Sequence, residues 1–153
     1  ALDAFLAMRA AEGERLTQDL LARADTIRQT LPVIEQASLR TCEIYRENLT
    51  LLLQELLGEL PLDEGRVITE VALYADRINI TEEVVRLRSH LEELEKLLCS
   101  STPSGRKMDF LLQEMNREIN TIGSKSQIKD ISMLVVENKA ELEKIREQVQ
   151  NLE

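Results

Sequence analysis

The sequence predicts an all-α fold of long antiparallel helices with coiled-coil-like hairpin character, forming an oligomeric assembly. Charged residues make up 31% of the 153 residues and aromatic residues 3%, without a tryptophan. Such a composition is typical of long helices rather than of sheets. Apolar residues recur at steps of three and four along most of the chain, which is the period of a helix. Because thin helical hairpins cannot bury so many apolar positions alone, we expect a homo-oligomer.

The first part of the chain, residues 1–60, is predicted as a long helical segment that is kinked or divided near Pro32. Proline removes one helical hydrogen bond, and its ring collides with the preceding turn. The stretch GELPLDEG, at residues 58–65, reads as a connector with Gly58 as the C-cap of the helix. Residues 61–153 are predicted as a C-terminal helical domain that carries the polar motifs of the chain.

Four further helices are predicted, over residues 64–77, 80–98, 106–122 and 126–152. Asn79 and Glu82 have the spacing of a capping box at the start of the second of these helices. Gly123 fits the position just after the third. The last helix has a strict heptad seam, formed by Ile128, Ile131, Val135, Asn138, Leu142, Ile145, Val149 and Leu152. Asn138 lies on this seam, where a buried asparagine typically fixes register or pairing.

Charge and cysteine content argue against several classes of protein. The formal net charge of −9 argues against a protein that coats nucleic acid through its overall field, and we expect no DNA partner. Cys42 and Cys99 lack CxxC spacing and are interpreted as free thiols in a reducing compartment. No apolar run reaches the roughly 18–20 residues of a membrane span, and the start does not resemble a signal peptide. We therefore expect a soluble, cytoplasmic protein without a membrane partner.

One mildly basic region occurs at residues 105–129, where five basic residues oppose three acidic ones, a net charge of +2. Helical spacing brings its polar side chains onto one surface and an adjacent strip. The surface contains Gln113, Asn116, Arg117 and Asn120, and the strip contains Glu114, Glu118, Thr121 and Lys125. Ser124 and Lys125 follow Gly123 and are expected to open the next helix, where free amides suit an anion such as phosphate. A solvated face and a buried polar network are the alternatives.

A second polar cluster is predicted on the helix at 80–98, where Glu83, Arg86 and His90 follow helical spacing. These groups are able to supply an acid or base and a phosphate clamp, although a lone histidine on a helix is usually structural. Glu70 and Asp76 are expected to approach the same face from the preceding helix. The chain has one histidine and no HExxH, P-loop or GxGxxG motif. Any metal is therefore expected to be a hard ion held by carboxylates, Mg²⁺ or Mn²⁺.

Three long stretches of the sequence have a particular pattern: EVALYADRINITEEVVRLRSHLEEL at residues 70–94, GRKMDFLLQEMNREINTIGSKS at 105–126 and IREQVQNLE at 145–153. They resemble the YicC family of bacterial stress-associated endoribonucleases. AMRAAEGERLTQDLLAR, at 7–23, resembles the start of the helical portion of the family. This resemblance implies an endoribonuclease that acts on RNA with a divalent cation and assembles as a ring-like homo-oligomer. It also implies an N-terminal domain before the helical portion, so we expect the chain to be a fragment.

Two functions stay open under this resemblance. The first is an endoribonuclease fragment that hydrolyses RNA with a divalent metal ion, and the second is a helical oligomerisation module whose catalysis depends on the N-terminal domain. For the first, the predicted catalytic residues are His90, Glu83, Glu114 and Glu118. The predicted RNA-binding residues are Arg86, Asn116, Arg117, Asn120, Ser124 and Lys125. The predicted metal ligands are Glu70, Asp76, Glu114 and Glu118. The resemblance does not decide which of these residues act in catalysis and which hold helices together.

Overall fold

Five helices account for all regular structure in the part of the chain that the structure describes. The structure, a computed structural model, describes residues 2–126 and 128–151. The helices are α1 (Leu2–Leu57), α2 (Glu64–Arg77), α3 (Thr81–Leu98), α4 (Gly105–Lys125) and α5 (Lys129–Gln150). No strand occurs among the described residues, and the all-α prediction is confirmed.

Four of these helices form an antiparallel bundle. α1 packs against α3 and α5, and α4 packs against the same two helices, which closes a ring of four. Arg23 of α1 bonds Glu141 of α5, and Thr30 bonds Asn138. The later residue of α1, Thr30, therefore pairs with the earlier residue of α5, Asn138, and the two helices run in opposite directions. The short connections after α3 and α4 reverse the chain in the same way.

The bundle core consists of aliphatic and methionine side chains. Leu20 of α1, Leu87 of α3 and Met115 of α4 are fully buried and belong to one continuous cluster, to which α5 also contributes. Burial of this kind is the main stabilising contribution to a helical bundle. Residues 1–60 and residues 61–153 therefore contribute to the same core.

The second half of α1 pairs with α2. Tyr45 and Tyr74 stack between these helices, with their ring centroids 3.9 Å apart, and Val67 of α2 is buried. Large apolar side chains nevertheless stay exposed on both helices: Leu39, Ile44, Leu51, Leu52, Leu56, Ile68 and Leu73. We call α2 and residues 39–57 of α1 the apolar hairpin, because it presents more apolar surface than an isolated helix pair usually does.

Three predicted features of the helix boundaries have different outcomes. α1 continues through Pro32, so the helix is not divided there, and the kink stays a prediction. Gly58 follows α1 with a φ of 57°, the left-handed conformation expected of a C-cap glycine. Gly123 lies inside α4 rather than after it, so its predicted position is wrong. A Cβ at Gly123 would lie 3.1 Å from Cγ1 of Val135, so this glycine allows α5 to approach α4 closely.

The predicted capping box at the start of α3 is also wrong. α3 begins at Thr81, and the preceding Ile80 makes no side-chain cap. Oδ1 of Asn79 accepts the N–H of Thr81 at 3.0 Å, which is an Asx-turn rather than an N-cap bond. Glu82 pairs with Arg86 at 2.9 Å, so its carboxylate is held by an ion pair within the helix instead of reaching back to the cap.

The heptad seam of α5 faces the interior of the same chain. Its buried members are Ile131, Val135, Asn138, Leu142, Ile145 and Val149. Nδ2 of Asn138 donates to Oγ1 of Thr30 on α1 at 2.7 Å, so this asparagine has an intramolecular partner. Gln127 and Leu152, which fall within the predicted helix at 126–152, lie outside the described residues. The coiled-coil character of the hairpins and the oligomeric assembly stay predictions.

The hydropathy of the helices and the state of the two cysteines are also defined by the structure. Among residues 2–126 and 128–151, no helix combines the length and the apolar character needed to cross a membrane. Cys42 is half-buried and Cys99 is exposed, and both are free thiols, as predicted.

Candidate functional site

Polar residues of α3 and α4 meet along the interface between these two helices. His90 of α3 and Glu114 and Glu118 of α4 each offer one ligand atom, and these atoms lie within 4.8 Å of one another. The two glutamates are one helical turn apart, so they project from the same side of α4. Glu118 is 5% exposed, whereas His90 and Glu114 are half-buried. We call these three residues the His-Glu-Glu cluster.

The chemistry of this donor set fits a divalent cation. Carboxylate oxygens suit Mg²⁺ and Mn²⁺, while an imidazole nitrogen suits transition-metal ions. Mg²⁺ prefers oxygen ligands and loses its water reluctantly, so one histidine with two glutamates favours Mn²⁺. The partial exposure of His90 and Glu114 leaves one side of the cluster open to solvent. The residues therefore fit the expected cofactor, whose presence stays a prediction.

Arg86 joins the His-Glu-Glu cluster to two further carboxylates. Its Nε lies 3.0 Å from Oε1 of Glu118, and its Nη1 lies 2.9 Å from Oε1 of Glu82. Its Nη2 is 3.8 Å from Oε1 of Glu83. Desolvation lowers the pKa of Arg86, but the hydrogen bond to Glu118 and the surrounding carboxylates raise the pKa more, so it lies above its ordinary value. The guanidinium therefore stays charged while it bridges α3 and α4.

Glu83 and Lys125 form a buried ion pair beside Arg86. Nζ of Lys125 lies 2.7 Å from Oε1 of Glu83 and also donates to the backbone oxygen of Asn79 at 3.0 Å. Glu83 is 3% exposed. Burial raises the pKa of Glu83, but the hydrogen bond from Lys125 and the nearby positive charges lower it more, so the pKa lies below its ordinary value. Oε2 of Glu83 has no hydrogen-bond partner among the described residues.

Three other predicted RNA-binding residues lie on different sides of α4. The side chain of Arg117 is 75% exposed, and its Nη1 lies 3.9 Å from Oε2 of Glu114. Asn116 and Asn120 are exposed as well. Asn116 lines a groove between α4 and α5, roughly 160° around the helix from Glu118. The structure therefore places Arg117 beside the His-Glu-Glu cluster and separates Asn116 from it.

The predicted anion site at the start of the last helix is wrong in its backbone geometry. α4 extends through Ser124 to Lys125, so their amides belong to the end of one helix and not to the start of the next. The hydroxyl of Ser124 donates to the backbone oxygen of Thr121 at 2.9 Å. α5 begins at Lys129. RNA binding by Ser124 and Lys125 stays a prediction, but it has no support from free helix-start amides.

Glu70 and Asp76 lie apart from the His-Glu-Glu cluster. Both are exposed side chains of α2, which packs chiefly on α1. Glu70 lines the groove between α1 and α2, together with Leu49 and Val67. The structure does not bring either carboxylate to the group of ligand atoms around His90, and their assignment as metal ligands stays a prediction.

The sequence predicted His90, Glu114 and Glu118 as catalytic residues and the two glutamates also as metal ligands. It did not predict that the histidine of α3 lies against the glutamates of α4 as a third candidate ligand. The available signal was their spacing from the loop at 99–104, because residues at similar distances before and after a short loop lie opposite each other in a helical hairpin. The same signal pairs Arg86 with Glu118.

The fold and the site define an antiparallel helical bundle with a charged interface between two of its helices. Residues 34–153 match the protein family described as endoribonuclease YicC-like, C-terminal. The chain belongs to this family, as the resemblance of its sequence predicted.

Two curated relatives match almost all of this chain. It is 50% identical over 147 residues to the probable endoribonuclease YicC of Clostridioides difficile, a match that covers 95% of this chain and 50% of that protein. It is 40% identical over 149 residues to the probable endoribonuclease YicC of Haemophilus influenzae, covering 97% of this chain and 51% of that protein. The chain therefore spans about half the length of the curated relatives it matches.

Proposed function

We propose that this chain carries the metal-dependent, RNA-cleaving site of an endoribonuclease. The supporting observation is the His-Glu-Glu cluster, whose three ligand atoms lie within 4.8 Å of one another in a family described as endoribonuclease-like. When bound, a divalent cation supplies Lewis acidity that polarises a phosphodiester oxygen and stabilises developing negative charge. RNA is the substrate, and Mn²⁺ or Mg²⁺ is the cofactor.

We propose a role for each group that is consistent with its burial and contacts. His90, Glu114 and Glu118 hold the cation, and His90 is a ligand in this proposal rather than the acid or base. Glu83 is 3% exposed and has no access to RNA, so it acts by holding Lys125 in place. Arg117, with a side chain 75% exposed beside Glu114, contacts the phosphate backbone.

The charge balance of the site links the cation to RNA binding. Four glutamates and three basic residues line it, namely Glu82, Glu83, Glu114, Glu118, Arg86, Arg117 and Lys125. Their formal charges of −4 and +3 leave the site at −1, and a divalent cation changes it to +1. A polyanion approaches a positive site more readily, so the cation is expected to strengthen RNA binding as well as to support cleavage.

Cleavage of a fluorescent RNA hairpin tests the proposal. We expect cleavage with Mn²⁺, weaker cleavage with Mg²⁺ and none with EDTA. Glu114→Gln and Glu118→Gln each remove a charged ligand without changing the size of the side chain, so both are expected to lose Mn²⁺-dependent cleavage. Glu92→Gln, at an exposed position of α3, makes the same chemical change away from the cluster and is expected to keep full activity.

The outcome also decides between the two functions that the sequence left open. If cleavage persists in EDTA, or in both ligand variants, the cation site does not carry the reaction. If the chain is inactive while the Clostridioides difficile relative cleaves the same RNA, cleavage depends on the part of that relative that this chain does not match, a result that favours the oligomerisation module.

We further propose that the chain assembles into a homo-oligomer through the apolar hairpin. Leu39 is 71% exposed, Leu52 is 52% exposed and Leu56 is 73% exposed, and clustered apolar side chains of this kind mark interaction surfaces. Light scattering at micromolar concentration tests the assembly, and a monomer would contradict it. A cytoplasmic location and the absence of a DNA partner stay predictions.

A further inference from the structure

Glu83 contains an acceptor that the rest of the structure leaves unused. Its carboxylate is 3% exposed, and Oε1 receives the ammonium of Lys125 at 2.7 Å. Oε2 is buried and has no hydrogen-bond partner among the described residues. A buried polar atom without a partner is unfavourable and usually indicates a second arrangement or a missing donor.

Arg86 is a second charged donor beside this carboxylate, in addition to Lys125, which already bonds Oε1. Nη2 of Arg86 lies 3.8 Å from Oε1 of Glu83, too far for a hydrogen bond, while its Nε is held by Glu118 at 3.0 Å. The side chain of Arg86 is 45% exposed, so packing does not fix it in one position. A guanidinium that moves from Glu118 toward Glu83 exchanges its bond to Glu118 for bonds to the Glu83 carboxylate, and paired bonds of this kind are the geometry that the two groups prefer.

We propose that Arg86 is a positioning residue with two alternative carboxylates. It holds Glu118 in the cation-free protein, and it moves onto Glu83 when a divalent cation occupies the His-Glu-Glu cluster. This inference rests on the cation site of the proposed function and adds Arg86 and Glu83 as the groups that control it. Glu83 is thus a reserve partner for Arg86.

Two physical effects favour the exchange. A divalent cation on Glu118 repels the guanidinium that shares this carboxylate. Arg86 also keeps other carboxylates within reach, because Glu82 bonds its Nη1 at 2.9 Å and Glu83 offers its free oxygen. When Arg86 moves away from Glu118, it therefore still has carboxylate partners. Oε2 of Glu83 gains a hydrogen-bond donor in the same movement.

The alternative is that Arg86 stays on Glu118 and orients it toward the cation. Outer partners of metal ligands commonly act in this way, and their removal weakens metal binding by roughly 10- to 100-fold. The two possibilities predict opposite effects of removing the guanidinium. In the proposed exchange, Arg86 competes with the cation, so Arg86→Gln strengthens binding. In the alternative, the same substitution weakens it.

Calorimetric titration with Mn²⁺ of the native chain and four variants tests the proposal. Arg86→Gln is expected to bind Mn²⁺ about fivefold or more tightly, and Glu83→Gln about fivefold more weakly, because it weakens the alternative partner of Arg86. The double variant is expected to match Arg86→Gln, since Glu83 acts only through Arg86. Glu82→Gln is the matched control: it neutralises an adjacent carboxylate that also pairs with Arg86 but has no buried free oxygen, and its effect is expected to be smaller.

A spectroscopic measurement keeps the proposal testable if Glu83→Gln does not fold. The Nε–Hε signal of Arg86, identified by its loss in Arg86→Lys, reports the bond to Glu118 directly. Titration of the native chain with diamagnetic Mg²⁺ is expected to remove the nuclear Overhauser contact between Hε of Arg86 and the side chain of Glu118 as Arg86 leaves Glu118. A guanidinium that stays on Glu118 would keep this contact even if its chemical shift changes.

The outcomes separate this inference from the function on which it rests. A native chain that does not bind Mn²⁺ overturns the cation site and the inference together. Three other outcomes overturn the exchange alone, in a native chain that does bind Mn²⁺. They are weaker Mn²⁺ binding in Arg86→Gln, an effect of Glu83→Gln that is the same with and without Arg86, and an unchanged nuclear Overhauser contact between Arg86 and Glu118.

Discussion

At the residue scale, Arg117 and Lys125 are basic side chains of the same helix in different surroundings. The side chain of Arg117 is 75% exposed, and its contact with Glu114 is 3.9 Å long. That of Lys125 is 33% exposed, and its ammonium has two acceptors, Glu83 and the backbone oxygen of Asn79. An exposed ion pair contributes little to stability, whereas a buried carboxylate that loses its partner is costly. The two positions therefore allow the proposed RNA contact of Arg117 to be tested separately from the structural support that Lys125 gives to Glu83.

We expect Arg117→Ala to weaken RNA binding and to leave stability almost unchanged. Loss of one phosphate contact reduces the slope of log affinity against log salt by roughly one unit, and an exposed side chain contributes about 0.5 kcal/mol or less. Lys125→Ala is expected to lower the free energy of unfolding by about 1–3 kcal/mol, because Glu83 is left without its donor. Urea unfolding and RNA titration at several salt concentrations measure both quantities. A large stability loss in Arg117→Ala would contradict the assignment.

The Glu83 carboxylate is expected to make the free energy of unfolding depend on pH. Its pKa in the folded chain lies below the ordinary value, so the unfolded chain takes up this proton first as the pH falls. The contribution of Glu83 is fully present above the pKa of this group in the unfolded chain and is lost as the pH falls through the lower, folded-state pKa. The free energy of unfolding should decrease less on acidification in Glu83→Gln than in the native chain. Glu92→Gln serves as the control, and equal losses in all three proteins would refute the prediction.

At the element scale, the close approach of α4 and α5 depends on Gly123. Glycine in a helix interior costs about 1 kcal/mol relative to alanine, and at this position it leaves room for Val135. A Cβ at residue 123 would lie 3.1 Å from Cγ1 of Val135 and 3.7 Å from its Cγ2. Valine has a stiff side chain, so it cannot easily move aside. In Gly123→Ala, the higher helix propensity of alanine is expected to stabilise the protein, whereas the tight contact with Val135 is expected to destabilise it.

A double-mutant cycle separates these two contributions. Gly123→Ala is expected to stabilise the protein by about 1 kcal/mol when residue 135 is alanine, because the valine methyl groups are then absent. In the native background, the same substitution is expected to be neutral or destabilising, since overpacking typically costs 1–3 kcal/mol. Thermal unfolding of the four proteins gives the coupling. Identical effects of Gly123→Ala in both backgrounds would show that the contact does not limit helix packing.

Asn138 of α5 forms a hydrogen bond with α1 of the same chain. It is 1% exposed and donates to Thr30 Oγ1 at 2.7 Å, while the Thr30 hydroxyl donates to the backbone oxygen of Ile27, also at 2.7 Å. If Asn138 fixed the pairing of subunits, as its place on the heptad seam indicated, Asn138→Leu alone would raise thermal stability and loosen the oligomer. Because the partner of Asn138 is on α1, we now expect Asn138→Leu with Thr30→Val to raise the melting temperature without changing the oligomeric state, as paired apolar replacements avoid an unsatisfied group. Calorimetry and light scattering measure the two outcomes, and a change in subunit number would restore the earlier interpretation.

At the scale of the whole molecule, helical periodicity was sufficient to predict the fold but not the contacts between helices. The apolar steps gave α3 and the start of α4 within one residue of their observed bounds, because this signal is local. Gly123 was misplaced because its role depends on Val135 in another helix. The grouping of His90 with Glu118 was missed for the same reason: the register between two helices follows from core packing, which a single-helix pattern does not contain.

The exposed apolar hairpin leads to the last prediction, which concerns assembly. Leu52 and Leu56 lie one turn apart on α1 and are 52% and 73% exposed, so glutamate at both positions places charge in the proposed interface without disturbing the bundle core. We expect the native chain to form an oligomer and Leu52→Glu/Leu56→Glu to form a monomer of 17.5 kDa with the same helical content. Val136→Glu, at a position of α5 that is 67% exposed and outside the hairpin, is expected to keep the native oligomer. Light scattering measures the mass and circular dichroism the helical content. A native monomer, or an oligomer that survives the double substitution, would show that the apolar hairpin is not the assembly surface.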